Sequence, residues 1–176
     1  MTDRGDVAGR SGPVKVRAAE PRDAPALARL HSEAHGSDQN EVAGMIKAHL
    51  AEIAEGLQFA VCVAEVDDLV VGYGMVGFRP MAALGGRNLP DGLYLAGVYT
   101  TPAYRRRGIG HALTTHRIQW AEAQADGLYF YVHAENRASI ALHEDMDFVE
   151  ISRDIDVPPD IPGPRDNQVL FGRTFR

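Results

Sequence analysis

The stretch "GVYTTPAYRRRGIGHAL", residues 97–113, contains three consecutive arginines directly before Gly-Ile-Gly. Arginine side chains donate charge-assisted hydrogen bonds to phosphate oxygens. Glycines let the backbone approach a ligand closely, and the free amides and the dipole at a helix start favour negative charge. The stretch therefore predicts an anion site that a pyrophosphate would fit. The alternative is a solvated basic turn before an ordinary helix.

Two other glycine-loop motifs fit the same stretch poorly. A P-loop needs four residues between its glycines and then Lys with Ser or Thr, whereas His111 and Ala112 follow here. The dinucleotide fingerprint needs Gly or Ala at position 113 and an acidic residue ending the next strand. Leu113 and His133 occupy those places, which disfavours dinucleotide binding.

The surrounding sequence resembles the acyl-CoA pyrophosphate motif of the GNAT superfamily of N-acetyltransferases. That motif reads roughly Val-Pro-x-x-Arg-x-x-Gly-x-Gly after a strand, and Arg105, Gly108 and Gly110 stand at its fixed positions. Downstream, "YFYVHAENRASIALHEDMDF" resembles the superfamily's second signature, a strand ending near Asn and a helix closing with Leu-Tyr-Glu-x-x-Gly-Phe. The specific residues lie between about 94 and 148, and the element order extends the resemblance from about residue 14 to the C-terminus.

The resemblance implies a mixed α/β fold, a mostly antiparallel sheet with two splayed parallel central strands flanked by helices. It also implies transfer of an acetyl group from acetyl-CoA directly to a primary amine, with acetyl-CoA as co-substrate and no metal. The backbone of Val98 and Thr100 would bind the acetyl carbonyl and pantetheine, with the Val98 amide stabilising the oxyanion. The other cofactor-binding residues that it implies are Arg105, Arg106, Arg107, Gly108, Ile109, Gly110 and His111 at the pyrophosphate, and Asn136. Ser139, on the same helical face as Asn136, is a further predicted cofactor-binding residue.

One helical face of the second signature carries candidate site residues. Asn136 is a good helix N-cap, and the resemblance implies that it also bonds the pantetheine arm. Ser139 and His143 follow at steps that keep them on the same face. His143 replaces the family's usual Tyr, the general acid for the CoA thiolate, and a histidine could donate that proton near neutral pH. A packing or capping role is the alternative.

The expected general base is missing from the strand before the arginines. Many relatives carry Glu where this chain has Ala96 and Gly97. An aliphatic ammonium with a pKa of about 10.4 must lose a proton before it attacks, so a water chain or another residue must serve unless the substrate amine is less basic. Candidates for the role are Tyr99, Tyr94, His133 and Glu33. Tyr99 and His143 are selected as the catalytic residues.

Hydrophobic periodicity and turn residues predict the elements that position these groups. Asp67 and Asp68 predict a tight hairpin turn, and Asp147, in place of the family's Gly, must tolerate a left-handed helix end. A long loop at 79–91 either shapes a binding site or is a surface insertion. Strands are predicted at 14–19, 59–66, 69–78, 92–100, 128–134, 148–157 and 167–175, and helices at 20–35, 41–55, 109–126 and 136–146.

Composition restricts the class of protein and its partners. The chain has 176 residues, a net charge of -6 and a pI of about 5.6, so its field disfavours nucleic acid and anionic membranes as partners. The acidity mildly favours a cationic acceptor, and a small molecule is preferred over a protein. His111 and His116 have no metal-like partner set, so no metal is predicted.

The sequence also predicts the redox environment, the domain boundaries and the oligomeric state. Cys62 is the single cysteine and sits in an apolar run, which fits a buried thiol in a reducing cytoplasm. A disordered leader is expected over residues 1–12 and one domain over 13–176, with no signal peptide or membrane span. A homodimer is possible. The alternative function is an acyl-CoA-binding sensor or interaction module without turnover.

Overall fold

A computed structural model describes residues 12–54, 56, 58–159, 161 and 163–175. The predicted leader lies outside these residues, apart from Gly12. The described residues form strands and helices in the order β1 (Lys15–Ala18), α1 (Ala24–His35), α2 (Gln39–Ala54), β2 (Phe59–Val66), β3 (Leu69–Arg79), β4 (Gly92–Thr100), α3 (Ile109–Glu122), β5 (Gly127–His133), α4 (Arg137–Glu144), β6 (Val149–Ser152) and β7 (Gln168–Thr174).

The strands form one seven-stranded sheet in the order β1-β2-β3-β4-β5-β7-β6. β1 runs antiparallel to β2, and β7 runs antiparallel to both β5 and β6. β4 and β5 are parallel, with Leu93 opposite Leu128 and Tyr94 opposite Tyr129. The predicted mixed sheet with a parallel central pair and flanking helices is confirmed.

The chain divides into two compact units, the first of which comprises the residues up to Met75 together with Gly97–His116. Its β2–β3 connection is the predicted turn, since Asp67 and Asp68 both have positive φ, at 49° and 61°. This conformation matches the twist of a two-residue hairpin. Its core includes Leu30 and Val63, both fully buried.

An ion network fixes the start of α1 in the first unit. Arg17 on β1 pairs with Asp23 at 2.7 Å and also with Glu65 on β2. Asp23 additionally accepts a hydrogen bond of 2.7 Å from the Glu20 amide. The hydrogen bonds from Arg17 lower the pKa of Asp23 below its ordinary value. These contacts orient the helix that carries His31 and Glu33.

The second unit comprises Val76–Ala96 and the chain from Arg117 onward. Phe130 on β5 stacks on Phe171 of β7, with ring centroids 5.0 Å apart. The predicted 79–91 loop connects β3 to β4, and its Met81 and Leu89 are buried in a cluster with Tyr94. The loop is therefore packed into this unit through its apolar residues.

The other predicted elements are also found, with small differences in length. α2 spans Gln39–Ala54, and α3 ends at Glu122, before the predicted stop signal. The last two predicted strands are shorter than expected, because only Val149–Ser152 and Gln168–Thr174 join the ladder. No described helix is long and apolar enough to cross a membrane.

Candidate functional site

The arginine-glycine stretch forms a tight connection between β4 and α3 in the first unit. The amide of Thr101 donates to the Val71 carbonyl at 2.9 Å, and a short 3₁₀ turn, Pro102–Tyr104, follows. Tyr104 is buried at 1% exposure beside Ile109 and Leu113. Burial of Tyr104 and Ile109 therefore anchors both ends of the exposed segment 105–108.

Two residues of this segment have left-handed backbone conformations. φ is 59° at Arg106 and 75° at Gly108. Backbone turns of this kind point successive amides into one concavity, a known way of binding anions. A non-glycine residue such as Arg106 adopts this conformation only at a cost in energy, and such strain clusters at ligand sites.

The start of α3 supplies free amides next to that turn. The first helical hydrogen bond runs from the Ala112 amide to the Gly108 carbonyl at 2.9 Å. The amides of residues 108–111 therefore precede the ladder and have no carbonyl within the helix to bond. A Cβ atom built on Gly108 meets no atom within 4 Å, so the space beside it is open.

The three arginines make different contacts. Arg105 donates from Nε to the Thr100 carbonyl at 3.1 Å, and its guanidinium carbon lies 6.0 Å from the ring centre of Tyr99. Arg107 lies over the Tyr104 ring at 4.9 Å. All three residues of the run 105–107 are exposed, which leaves positive charge around the free amides.

The end of β4 is open although the strand is central in the sheet. Val98 is 40% exposed, and Gly97 has a φ of 52°. On the neighbouring strand, a Cβ atom at Gly72 would lie 2.7 Å from the Tyr99 carbonyl, so only glycine permits this close approach. Val98 is thus exposed and follows a residue with a left-handed backbone conformation.

Glu33 is brought to Tyr99, the residue selected as a catalytic candidate. One oxygen of Glu33, Oε2, accepts from the Tyr99 hydroxyl at a long 3.4 Å and from Thr101 Oγ1 at 3.2 Å. The other oxygen accepts from Arg29 at 2.7 Å, and Arg29 also donates to the Val70 carbonyl at 2.9 Å. Two of the four base candidates therefore form one cluster.

The remaining two base candidates, Tyr94 and His133, make hydrogen bonds within the second unit. Tyr94 is 2% exposed and donates its hydroxyl hydrogen to the Pro90 carbonyl at 2.7 Å. Burial raises the pKa of Tyr94, so it stays a phenol at neutral pH. His133 accepts a hydrogen bond from the Glu135 amide at 3.3 Å, at the turn after β5.

Asn136, Ser139 and His143 share one face of α4 in the second unit, as predicted. Asn136 is the N-cap, since its side chain accepts from the Ser139 amide at 3.2 Å. Ser139 in turn accepts a hydrogen bond of 2.7 Å through its carbonyl from Nδ1 of His143. Asp147 has a φ of 64°, the tolerated left-handed helix end.

His143 is a buried neutral histidine. It is 3% exposed, it stacks on Phe130 at 4.0 Å, and it meets Phe148 edge-on at 5.4 Å. Desolvation by burial lowers its pKa to about 4. Because a carbonyl only accepts, Nδ1 carries the hydrogen and Nε2 carries a lone pair. This state disfavours the predicted proton donation at neutral pH, and the general-acid role stays a prediction.

Some features of the site are absent from the sequence prediction. Arg29, which pairs with Glu33, has no motif signal, and its partner lies one helical turn away at i+4. A second such feature is His31 on α1, whose Nδ1 atom is buried. Its position four residues after Leu27, on one helix face, is the signal that could have shown this.

The described residues contain no group of three or more His, Cys, Asp or Glu side chains able to hold a metal ion.

Comparison with known families gives a match over most of the chain. Residues 25–148 match the model of the acetyltransferase (GNAT) family. This range includes both sequence signatures, all of α1 except Ala24, and the whole of α4. No curated protein matches the chain.

Solved structures share the fold at low sequence identity. A GNAT-family acetyltransferase from Streptococcus pneumoniae has a TM-score of 0.68 at 18% identity, covering 93% of this chain and 100% of its own. The ribosomal-protein-alanine N-acetyltransferase of Brucella melitensis has a TM-score of 0.67 at 24% identity, covering 92% and 99%. The yncA protein of Salmonella typhimurium, solved with its cofactor acetyl-CoA, has a TM-score of 0.66 at 20% identity, covering 93% and 94%.

Proposed function

The chain belongs to the GNAT acetyltransferase family, and from this premise we propose that it transfers an acetyl group from acetyl-CoA to a primary amine of a small molecule. The yncA neighbour was solved with acetyl-CoA as its cofactor. Within this chain, the main support is the connection after β4, where a left-handed turn, four free amides and three exposed arginines coincide. That combination suits the pyrophosphate of a CoA thioester.

The proposed cofactor contacts follow the backbone of the first unit. The amides of residues 106–111 would bind the pyrophosphate, with Arg105 adding charge. The open backbone at Val98 would hold the acetyl carbonyl and stabilise its oxyanion, and Thr100 would bind pantetheine. Asn136 and Ser139 on α4 are proposed to contact the pantetheine arm.

The proposed reaction is direct attack without a covalent enzyme intermediate. The neutral amine nitrogen bonds to the thioester carbonyl carbon, and the resulting tetrahedral intermediate expels the CoA thiolate. The nitrogen loses one proton to the Tyr99 hydroxyl oxygen while that hydroxyl passes its own proton to the Glu33 carboxylate, and the thiolate gains one. The products are the acetylamide and free CoA thiol, so atoms and charge balance.

For His143 we propose a structural contribution in place of the general-acid role, because its imidazole is neutral. Its hydrogen bond to the Ser139 carbonyl and its stacking on Phe130 tie α4 to β5. We propose that it positions Ser139 and the helix N-terminus. The thiolate then takes its proton from water or from Tyr99.

One specific observation favours the alternative of CoA binding without turnover. The chain has neither the expected acid on β4 nor a charged imidazolium at His143, whose burial lowers its pKa to about 4. A sensor would need the pyrophosphate site but not these groups. The Tyr99–Glu33 cluster supports turnover instead, because it supplies a hydroxyl backed by a carboxylate.

Thiol release separates the two functions. The purified protein with acetyl-CoA is mixed with a panel of alkylamines, arylalkylamines, polyamines and peptides, and free CoA thiol and acetylated product are measured. Catalysis predicts product from at least one small amine, and a decrease of about 10²-fold in kcat for Tyr99→Phe. Acetyl-CoA binding with no thiol release above buffer would support the sensor and reject the enzyme. Acetylation of peptides alone would reject the small-molecule acceptor.

A further inference from the structure

A cavity of about 500 Å³ opens in the first unit between α1, α2, β2 and β3. Its walls are mainly apolar side chains, including Leu27 on α1, Ile46 on α2 and Val61 on β2. Protein interiors are close-packed and rarely leave voids larger than a water molecule. A cavity of this size falls instead in the range of ligand pockets, roughly 300 to 1,000 Å³.

The polar atoms of the cavity are few and their placement is informative. His31 lines it, and its Nδ1 atom is buried with no hydrogen-bond partner among the described residues. Burial lowers the pKa of His31, so the ring is neutral near pH 7. Glu52 also lines the cavity, but its side chain is 65% exposed. The cavity thus offers a mainly apolar wall in which the neutral ring of His31 is one of a few polar groups, beside Tyr73, His49 and Glu52.

The apolar surface continues to the edge of the cavity. Met45 on α2 lines it and is 72% exposed, the largest exposed fraction among the exposed large apolar side chains of the described chain. An apolar side chain kept in water at a cavity edge suits contact with an apolar ligand.

The cavity adjoins the proposed reaction centre through two tyrosines. Tyr73 forms part of the cavity wall, and its ring centroid lies 6.2 Å from that of Tyr99. Tyr99 packs against the same apolar cluster that contains Leu27 and Tyr73. Its hydroxyl meets the Glu33 carboxylate, whose negative charge complements an ammonium group. An apolar cavity therefore leads to a hydroxyl and a carboxylate.

We infer that this cavity binds the apolar part of the acetyl acceptor, so that the substrate is a primary amine carrying a large alkyl or aryl group, with its nitrogen held at Tyr99 and Glu33. The inference rests on the proposed acetyl transfer and names its substrate class. It predicts that short hydrophilic amines and polyamines are poor substrates, because they leave the cavity wall in water.

A series of linear amines from propylamine to hexylamine tests the inference directly. Burial of each added methylene should raise kcat/KM by about fourfold until the cavity is filled. Phenethylamine should exceed ethanolamine, and spermidine should lie with the poor substrates. Acetyl-CoA at saturation keeps the cofactor site constant through the series.

A matched pair of variants localises the effect. Ala48 lines the cavity from α2, whereas Ala51 is on the same helix, is also exposed and does not line it. Ala48→Trp fills part of the cavity and should raise KM for hexylamine about tenfold, while KM for propylamine changes little. Ala51→Trp should change both values by less than about twofold.

The outcomes distinguish this inference from the proposed function. If kcat/KM does not change along the alkylamine series, the assignment of the cavity is overturned while acetyl transfer stays intact. Equal effects of Ala48→Trp and Ala51→Trp on KM would have the same consequence. Acetyl-CoA binding without acetylation of any amine would instead overturn the proposed function itself. Folding of both variants is checked by circular dichroism, and Met45→Gln, at an exposed position, provides a second variant with the same expected direction.

Discussion

Replacement of His143 by phenylalanine should change how stability depends on pH. The variant keeps an aromatic ring against Phe130 but removes the titrating imidazole, whose pKa burial lowers from 6.5 to about 4. At pH 7.5 the imidazole is almost entirely neutral in both the folded and the unfolded chain. Below that value the unfolded chain takes up a proton that the folded chain excludes, so the wild-type free energy of unfolding falls as pH falls.

The magnitude follows from the two pKa values. One pKa unit corresponds to about 1.4 kcal/mol, so the whole shift is worth about 3 kcal/mol once pH 4 is reached. Between pH 7.5 and pH 5, the loss attributable to His143 is about 2 kcal/mol. The variant also loses the hydrogen bond to the Ser139 carbonyl, but this cost does not depend on pH.

Urea unfolding of both proteins at pH 7.5, 6.5, 5.75 and 5.0, followed by circular dichroism, measures this difference. Other groups with lowered pKa values, including Asp23 and His116, are present in both proteins and cancel. The free energy of unfolding of wild type minus that of His143→Phe should fall by about 2 kcal/mol across the range. A difference that stays constant would show that His143 titrates normally in the folded protein, and the predicted general-acid role would then be restored.

Three further substitutions test other parts of the structure. Asn136→Ala removes the N-cap of α4 and should lower the free energy of unfolding by about 1 kcal/mol in urea titrations, whereas Asn136→Asp should retain it. Asp147→Gly relieves the left-handed conformation at φ 64° and should stabilise the protein by up to about 1 kcal/mol, and any loss of stability would contradict the strain argument. Glu33→Gln weakens the carboxylate contact with Tyr99 and should lower kcat/KM for amines about tenfold while KM for acetyl-CoA stays constant. Unchanged amine kinetics in steady-state assays would remove Glu33 from the acceptor site.

Local sequence signals predicted most of the fold. The β4 strand was placed at its observed bounds, Gly92–Thr100, because turn residues flank an apolar run. Asn136 was identified as a cap because its side chain needs only an amide three residues ahead. The Asp67-Asp68 turn likewise depends on two adjacent residues that tolerate positive φ. Each of these features is determined by contacts within a few residues.

Features that depend on contacts between residues distant in sequence are harder to predict from the sequence. Glu33 meets Tyr99 across 66 residues of sequence, and the sequence named both only as separate candidates for the base. The neutral state of His143 depends on Phe130 and Phe148 enclosing the ring, which spacing within α4 does not show. The apolar cavity forms only where α1, α2, β2 and β3 come together. The spacing of His31 within α1 indicates that it lies on the buried face, but it does not indicate a cavity there.

The central claim is that the exposed loop before α3 binds the CoA pyrophosphate, and acetyl-CoA affinity in two glycine variants tests it most directly. Gly108 and Gly36 have almost the same φ, 75° and 72°, and a Cβ atom at either position meets no atom within 4 Å. Leucine at either position therefore imposes a similar backbone cost, but only Gly108→Leu enters the proposed site. Isothermal titration should show acetyl-CoA binding lost in Gly108→Leu and retained in Gly36→Leu, with both proteins folded. Equal affinity in the two variants would contradict the account.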